Sequence, residues 1–202
     1  DYRRVLRLTA YEIPPSGLTA RGIAGVNLLQ LQPEDVVTSI ITMPAKATDG
    51  FLFMCTTKGV VKKTALEAYQ NVRQTGLIAI NLDDGDKLRW VRRTTGQNEI
   101  VISTSMGQAI RFDENGVRAM GRVSRGVRGI RLRTGDEVIG MDTVQADSSI
   151  FVISEAGYGK RTKIAQFTPH ARGGVGIRSA VVNTKTGKLI GVATLTAELS
   201  EV

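Results

Sequence analysis

The 202-residue sequence is poor in several residue types on which common functions depend. It has one cysteine, one histidine and five prolines, and aromatic residues make up only 5% of it. Cys55 and His170 alone cannot build a structural zinc site, which needs four such ligands at close spacing. A single cysteine cannot form a disulfide within the chain, and Cys55, inside the apolar run FLFMC, fits a reducing cytoplasm. We therefore predict no metal site, no cofactor and no catalytic residues.

Long hydrophobic runs and an excess of acids are also missing. No apolar run approaches the roughly 20 residues that a membrane-spanning helix needs. The N-terminal stretch DYRRVLRLTA is too charged for a signal peptide. Lys and Arg number 27 against 19 Asp and Glu, which gives a formal net charge of +8. This excess favours a polyanionic partner, and nucleic acid and an acidic membrane surface both have the required sign.

Glycine, by contrast, is abundant, with 22 residues, and its spacing reveals an internal repeat. Gly59, Gly107 and Gly157 each follow a short apolar run and precede a second strand-like stretch. A strand, a glycine turn and a strand predict a β-hairpin. The opening RRVLRL matches the second strand of such a hairpin and lacks the first.

The second half of each unit starts at another glycine. When the copies are aligned on Gly22, Gly76, Gly126 and Gly173, an apolar–polar alternation begins four residues after each glycine, as at Val26 and Leu28 of the first copy. This alternation predicts a strand with one face buried. A turn and a last strand follow: VVTSIITM, KLRWVRRT, EVIGMDTV and KLIGVATL. The stretch ALEAYQNVR, residues 65–73, could form one helical turn.

These elements divide the chain into four units. We place them at approximately 1–48, 49–97, 98–148 and 149–202, and the first is incomplete. Four-stranded units in tandem predict an all-β, propeller-like fold, because radial repetition leaves only short, protected sheet edges. Residues 1–202 would then be one domain or, as we favour, a section of one.

Basic residues recur at fixed positions of the units. In a radial array they would form a basic rim, which could hold the phosphate backbone of duplex DNA largely without reading its sequence. Few aromatic residues argue against single strands, which need stacking platforms. The predicted DNA-binding residues are Arg7, Lys63, Arg111 and Arg161 four residues after the hairpin glycine or at its equivalent, Lys62 and Lys160 beside them, Arg21, Arg125 and Arg172 before the loop glycine, and Arg128.

Two other functions remain open at this point. The bases could simply keep strand edges soluble, which would leave a protein-interaction propeller. An enzyme with its site on the propeller axis would need converging titratable groups, and the sequence offers no such set.

Several stretches resemble a known family. TKGVVKKT, FDENGVRAMGRVSRGVRGIRL, RTGDEVIG and GYGKRT look like the C-terminal domain of the DNA gyrase A subunit, over essentially the whole chain. The related domain of the topoisomerase IV A subunit is the nearest alternative. The resemblance implies a β-pinwheel of about six blades that exchange strands, of which this chain would be an internal section. It also implies a noncatalytic role in the bacterial cytoplasm, at the nucleoid, in which duplex DNA is bent and wrapped around a basic rim.

The same resemblance implies partners and one loop. The partners would be duplex DNA, the remainder of the gyrase A subunit and the gyrase B subunit, whose other domains would supply the catalytic residues for negative supercoiling. The family's wrapping motif QRRGGKG is absent, and the nearest match is HARGGVG, residues 170–176. The residues of this loop that we single out are His170, Arg172, Gly173, Gly174 and Gly176. Two charges of the motif are lost there, so we expect little wrapping through this loop alone.

Overall fold

The computed structural model describes residues 3–44 and 47–196, which form short β-strands and a few single-turn helices. The strands are β1 Arg4–Val5, β2 Phe51–Thr56, β3 Val60–Ala65, β4 Leu77–Ile78, β5 Leu88–Thr94, β6 Glu99–Thr104, β7 Gln108–Asp113, β8 Val127–Arg128, β9 Val138–Val144, β10 Ser149–Ser154, β11 Gly159–Lys163, β12 Ile177–Arg178 and β13 Leu189–Leu195. The 3₁₀ helices are Ala10–Glu12, Gly25–Asn27, Leu66–Tyr69, Glu114–Gly116 and Ile164–Gln166. Leu66–Tyr69 is the helical turn predicted within residues 65–73. No helix of the described residues is long and apolar enough to cross a bilayer.

Neighbouring units exchange strands. The antiparallel sheets have the orders β5-β2-β3-β8, β9-β6-β7-β12 and β13-β10-β11, and β1 pairs with β4. The hairpins β2–β3, β6–β7 and β10–β11 are those predicted from the glycine turns. Strand β8 comes from the third unit but pairs with β3 of the second, and β12 of the fourth pairs with β7 of the third. Each unit therefore completes the sheet of the unit before it.

A glycine in the left-handed region starts each exchanged strand. The φ angles of Gly76, Gly126 and Gly176 are 80°, 101° and 76°. A Cβ atom at Gly126 would lie 2.6 Å from the carbonyl oxygen of Val61, so the position requires glycine for sterics as well as for φ. In the fourth unit this glycine is Gly176, and the alignment on Gly173 is wrong by three residues. Val175, not Arg172, therefore precedes the strand glycine there.

The hydrophobic core lies between and within the sheets of the units. One cluster joins the second and third units, where the rings of Phe53 and Phe112 lie 6.3 Å apart. Cys55 is fully buried in this cluster and Trp90 packs against it. Two further clusters lie around Met54 in the second unit and around Ile150 in the fourth.

The first unit departs from the prediction. Residues 36–43, predicted as its last strand, form no strand, and the predicted alternation at Val26 and Leu28 belongs to the 3₁₀ helix Gly25–Asn27 and its end. The other units show the reason. Their last strands β5, β9 and β13 pair with the first strand of their own hairpin. Residues 3–44 contain no strand in that position, so residues 36–43 lack a partner there.

Candidate nucleic-acid interface

The two adjacent lysines of β3 lie inside the protein. Lys62 is fully buried, and its Nζ donates to the carbonyl of Ala79 at 2.6 Å and to that of Arg122. Burial, together with the Arg122 guanidinium, lowers the pKa of Lys62 to about 8. Lys63 is 4% exposed and donates to the carbonyl of Glu114 at 3.0 Å. The expected position on an exposed rim is therefore wrong for both lysines.

Arg111 is also engaged within the protein. Its guanidinium forms an ion pair with Glu99, and its side chain is 13% exposed. The Nη1 atom donates to the carbonyls of Ile164 and Phe167 at 3.1 and 3.2 Å. These bonds use most of the donor fork that a phosphate would need. Arg111 thus joins Lys62 and Lys63 as an internal residue rather than an exposed one.

The remaining predicted bases are wholly or partly exposed, but four of them have partners: Arg7, Arg125, Lys160 and Arg172. Arg7 donates to the carbonyl of Gln70 at 3.1 Å, and Arg125 forms an ion pair with Asp83 of the second unit. Lys160 donates to the carbonyl of Ser179 at 3.2 Å. Within the described parts of the chain, the exposed side chains without a hydrogen bond or ion pair include Arg21, Arg128 and Arg161.

The glycine-rich loop 170–176 packs on the third unit. Arg172 donates to the carbonyls of Gly116 at 2.7 Å and Arg128 at 3.1 Å. The Gly173 N–H donates to Gly129, and the N–H of Arg131 donates to Gly174. A Cβ atom at Gly173 would lie 3.9 Å from Cδ of Arg128, so the Arg128 stem runs beside this glycine. The exposed His170 contributes its backbone N–H to the carbonyl of Arg111 at 2.8 Å.

This packing places the segments that carry Arg118, Arg128 and Arg131 against the loop that carries Arg172, and we call these four residues the junction patch. Arg118 lies two residues from Gly116, which Arg172 contacts. The side chains of Arg118, Arg128 and Arg131 are exposed and have no hydrogen bond or ion pair among the described residues. Arg118 and Arg131 are not among the bases predicted from the sequence, although both lie within FDENGVRAMGRVSRGVRGIRL, residues 112–132. Whether a base of this chain is exposed or buried depends on how the following unit packs on it, and the local sequence does not show this.

The arrangement of exposed arginines can bind an anion. Among residues 3–44 and 47–196, no group of three or more His, Cys, Asp or Glu side chains could hold a metal ion. The exposed guanidinium groups offer planar pairs of donors that match the oxygens of a phosphate.

The family of the chain follows from its match to known sequences. A family model described as "DNA gyrase C-terminal domain, beta-propeller" matches residues 3–42, 50–95, 98–145 and 148–196. The chain belongs to this family. The DNA gyrase A subunit of Staphylococcus aureus (strain NCTC 8325 / PS 47) is 39% identical over 198 residues, which cover 96% of this chain and 22% of that protein. The chain thus spans about a fifth of the length of the curated relatives it matches.

Solved structures agree with the all-β, propeller-like fold of this gyrase-family domain. A structure described as the C-terminal domain of DNA topoisomerase IV has a TM-score of 0.79 and 27% identity, covering 87% of this chain and 55% of its own. A structure described as a DNA gyrase A C-terminal domain has a TM-score of 0.80 over 96% of this chain and 63% of its own. Its identity of 21% supports the fold alone. The predicted fold class is confirmed.

Proposed function

We propose that the chain binds duplex DNA through exposed arginines and bends it across successive units, without catalysing a reaction itself. The observation that carries this proposal is the junction patch. It places the segments that carry Arg118, Arg128 and Arg131 against the loop that carries Arg172, at the contact between two units of a chain with a net charge of +8.

The chemistry of the patch favours a phosphate backbone over bases. Arginine and backbone N–H contacts to phosphates fix the position of a protein on a duplex but carry no sequence information. Binding should therefore be electrostatic and largely independent of sequence. A single-stranded partner would need several aromatic stacking surfaces. Here Trp90 packs against the core and Tyr69 is buried, and among the described residues the exposed aromatic side chains are Tyr11 and Tyr158.

Bending follows from the distribution of the exposed bases over several units. Arg21 belongs to the first unit, Arg128 to the third and Arg161 to the fourth. A duplex that contacts several units of a propeller-like array must curve. Smooth bending of a 20–30 base-pair site costs on the order of 1–6 kcal/mol, so several contacts must form together to offset it.

We infer that this activity serves a larger enzyme. The curated relatives are gyrase A subunits, and the part they share with this chain is 22% of their length. The remainder of a gyrase A subunit and a gyrase B subunit would supply strand passage and ATP hydrolysis, in the bacterial cytoplasm at the nucleoid. Wrapped DNA would then support negative supercoiling. A topoisomerase IV subunit is the alternative holoenzyme, since its C-terminal domain shares the fold.

The first unit favours a second candidate function, contact with protein. Its large apolar side chains Leu18, Ile40 and Tyr11 are 104%, 86% and 85% exposed. Exposed apolar residues that cluster in one segment mark interaction sites. We assign this surface to contact with the remainder of the subunit, alongside DNA binding by the later units.

Salt titration tests the DNA-binding proposal. Two unrelated duplexes of equal length should bind with similar affinity, and log K should fall with log salt by about 0.9 for each phosphate contact. The triple substitution Arg118→Gln, Arg128→Gln and Arg131→Gln should weaken binding and reduce this slope. The control is Arg89→Gln, Lys185→Gln and Lys188→Gln, which removes the same charge from exposed residues outside the patch.

Two outcomes would contradict the proposal. A slope near zero would favour the protein-interaction function instead. Equal losses in the patch and control variants would show that net charge alone, rather than the junction patch, governs binding.

A further inference from the structure

The base four residues after the hairpin glycine makes the same contact between units at two consecutive junctions. Nζ of Lys63 donates to the carbonyl of Glu114 at 3.0 Å. Nη1 of Arg111 donates to the carbonyl of Ile164 at 3.1 Å. Glu114 and Ile164 are the first residues of the equivalent 3₁₀ helices Glu114–Gly116 and Ile164–Gln166. A basic side chain thus binds the same turn of the following unit each time.

The main chain of the same two residues is also bound to the following unit. The carbonyl of Lys63 accepts from the N–H of Met120 at 2.9 Å, and that of Arg111 accepts from the N–H of His170 at 2.8 Å. Met120 and His170 are again equivalent, 50 positions apart (170 − 120). We call this double connection, through side chain and main chain, the clamp.

Acidic partners neutralise the clamp bases. Arg111 pairs with Glu99 of its own hairpin, and Nζ of Lys63 lies 3.8 Å from a carboxylate oxygen of Glu114. The ammonium of Lys63 also lies 4.9 Å from the centroid of the Phe51 ring. A paired, buried base adds little to the field at the surface. The clamp bases are therefore poor candidates for direct phosphate contacts.

The other two units supply comparisons. Arg7 of the first unit donates to the carbonyl of Gln70, just after the 3₁₀ helix of the second unit. Arg161 occupies the same repeat position in the fourth unit, but it is exposed and has no hydrogen bond among the described residues. A substitution at Arg161 therefore removes a base of the same position without breaking a described clamp.

We propose that Lys63 and Arg111 are positioning residues for DNA bending, an inference that rests on the proposed function. Each clamp fixes the orientation of one unit relative to the next. The exposed arginines then form a rigid curved track, and a stiff duplex has to conform to it. A track with loose junctions would straighten under the same duplex and bend it less.

The experiment compares bending with local binding in the 202-residue chain. Lys63→Met and Arg111→Met keep the aliphatic stems but remove the donors. The affinity for a duplex of about one helical turn should change by about twofold or less, because a neutralised internal base interacts weakly with an external phosphate. End-to-end FRET on a duplex long enough to contact several units should show clearly less bending. Arg111→Lys should restore bending, since Lys63 performs this role at the same position.

Distances between spin labels test the clamp without DNA. Gln97→Cys and Asp147→Cys put labels on exposed turns of the second and third units, on either side of the Lys63 clamp. Lys63→Met should broaden the distance distribution, whereas Arg161→Met, in the fourth unit, should leave the distance distribution unchanged.

The outcomes separate the two proposals. A wild-type chain that neither binds nor bends any duplex would overturn the proposed function, and the bending role with it. If the wild type bends DNA, unchanged bending or an unchanged label distribution in a folded Lys63→Met variant would overturn the clamp alone. Equal losses of short-duplex binding and bending would instead assign Lys63 and Arg111 to direct DNA contact.

Discussion

The Nζ atom of Lys62 lies 2.6 Å from the carbonyl oxygen of Ala79, and its side chain is completely buried. The second acceptor, the carbonyl of Arg122, comes from the following unit. Both acceptors are neutral, so hydrogen bonds rather than a counter-charge hold this ammonium. Burial accordingly lowers the pKa of Lys62 to about 8 from its ordinary value of 10.5.

This lowered pKa predicts a pH dependence of stability. Between about pH 8 and 10.5, the unfolded lysine holds a proton that the folded lysine has lost, so the contribution of Lys62 to the unfolding free energy rises with pH. Lys62→Met should abolish this rise, so the difference in unfolding free energy between wild type and variant should change with pH across this window. Urea unfolding at several pH values between about 8 and 10.5, monitored by Trp90 fluorescence, measures the unfolding free energy of each protein. Lys160→Met, at the equivalent exposed position, is the control, and identical pH curves for wild type and Lys62→Met would contradict the prediction.

The strand glycines predict a graded loss of stability. Gly126→Ala combines a φ of 101° with a Cβ atom 2.6 Å from the carbonyl of Val61. We expect a loss of more than about 2 kcal/mol, since the left-handed conformation alone costs roughly 1–2 kcal/mol. Gly22→Ala is the matched control, because Gly22 has a φ of 76° and a Cβ atom there would meet nothing within 4 Å. Chemical denaturation of both variants measures the two losses of unfolding free energy, and Gly126→Ala should show the larger one. A larger loss in Gly22→Ala would contradict the steric argument.

The contacts of Glu114 predict that its contribution to the free energy of unfolding is strongly coupled to that of Lys63. Its carboxylate is fully buried and accepts from the N–H groups of Gly96 and Asn98 at 2.9 and 2.7 Å, and from the Thr94 hydroxyl at 2.7 Å. Glu114→Gln leaves the buried Lys63 ammonium without its carboxylate, and we expect a loss of about 3–5 kcal/mol.

A double-mutant cycle tests this coupling. Adding Lys63→Met to Glu114→Gln removes the uncompensated charge, so the double variant should be more stable than the sum of the two single losses implies. Thermal and urea unfolding of the four proteins give the coupling energy. Simple additivity would show that the two side chains act independently.

Cys55 should be unreactive in the native protein. The side chain is fully buried, and burial raises the pKa of its thiol well above the ordinary value. A thiol reagent reacts with the thiolate, which is scarce here and inaccessible. We expect labelling only in denaturant, at the rate of global unfolding. Rapid stoichiometric labelling of the native chain would contradict this expectation, and Gln97→Cys serves as an exposed positive control.

Local pattern was sufficient to predict the hairpins but not the burial of their bases. The run VVKKT reads as a strand with a polar end, yet Lys62 and Lys63 are hidden because segments of the next unit cover them. The covering residues Glu114 and Arg122 lie 51 and 60 positions further along the chain. No local periodicity carries that information. Family resemblance supplied the exchange of strands, which composition and spacing could not.

The sequence-based prediction is wrong for one strand of the first unit and for the start of one strand in the fourth unit, for different physical reasons. HARGGVG contains three glycines, and spacing cannot decide which one starts the strand. The close approach of Gly176 to the carbonyl of Ala109 decides it in the structure. Residues 36–43 have strand-like composition, but β-propensity reflects packing against a neighbour, and no strand of residues 3–44 pairs with them.

The exchange of strands has a consequence for synthesis on the ribosome. Val61 pairs with Val127, and Ala109 pairs with Ile177, so a hairpin that has emerged waits for 66 (127 − 61) or 68 (177 − 109) further residues before its sheet is complete. At 5–20 residues per second, this delay is roughly 3 to 14 s. During that interval β3 or β7 presents an unpaired edge. The strand edge that can pair wrongly in the nascent chain thus lies one unit behind the growing end. A pause in translation during synthesis of the following unit would keep this edge unpaired for longer.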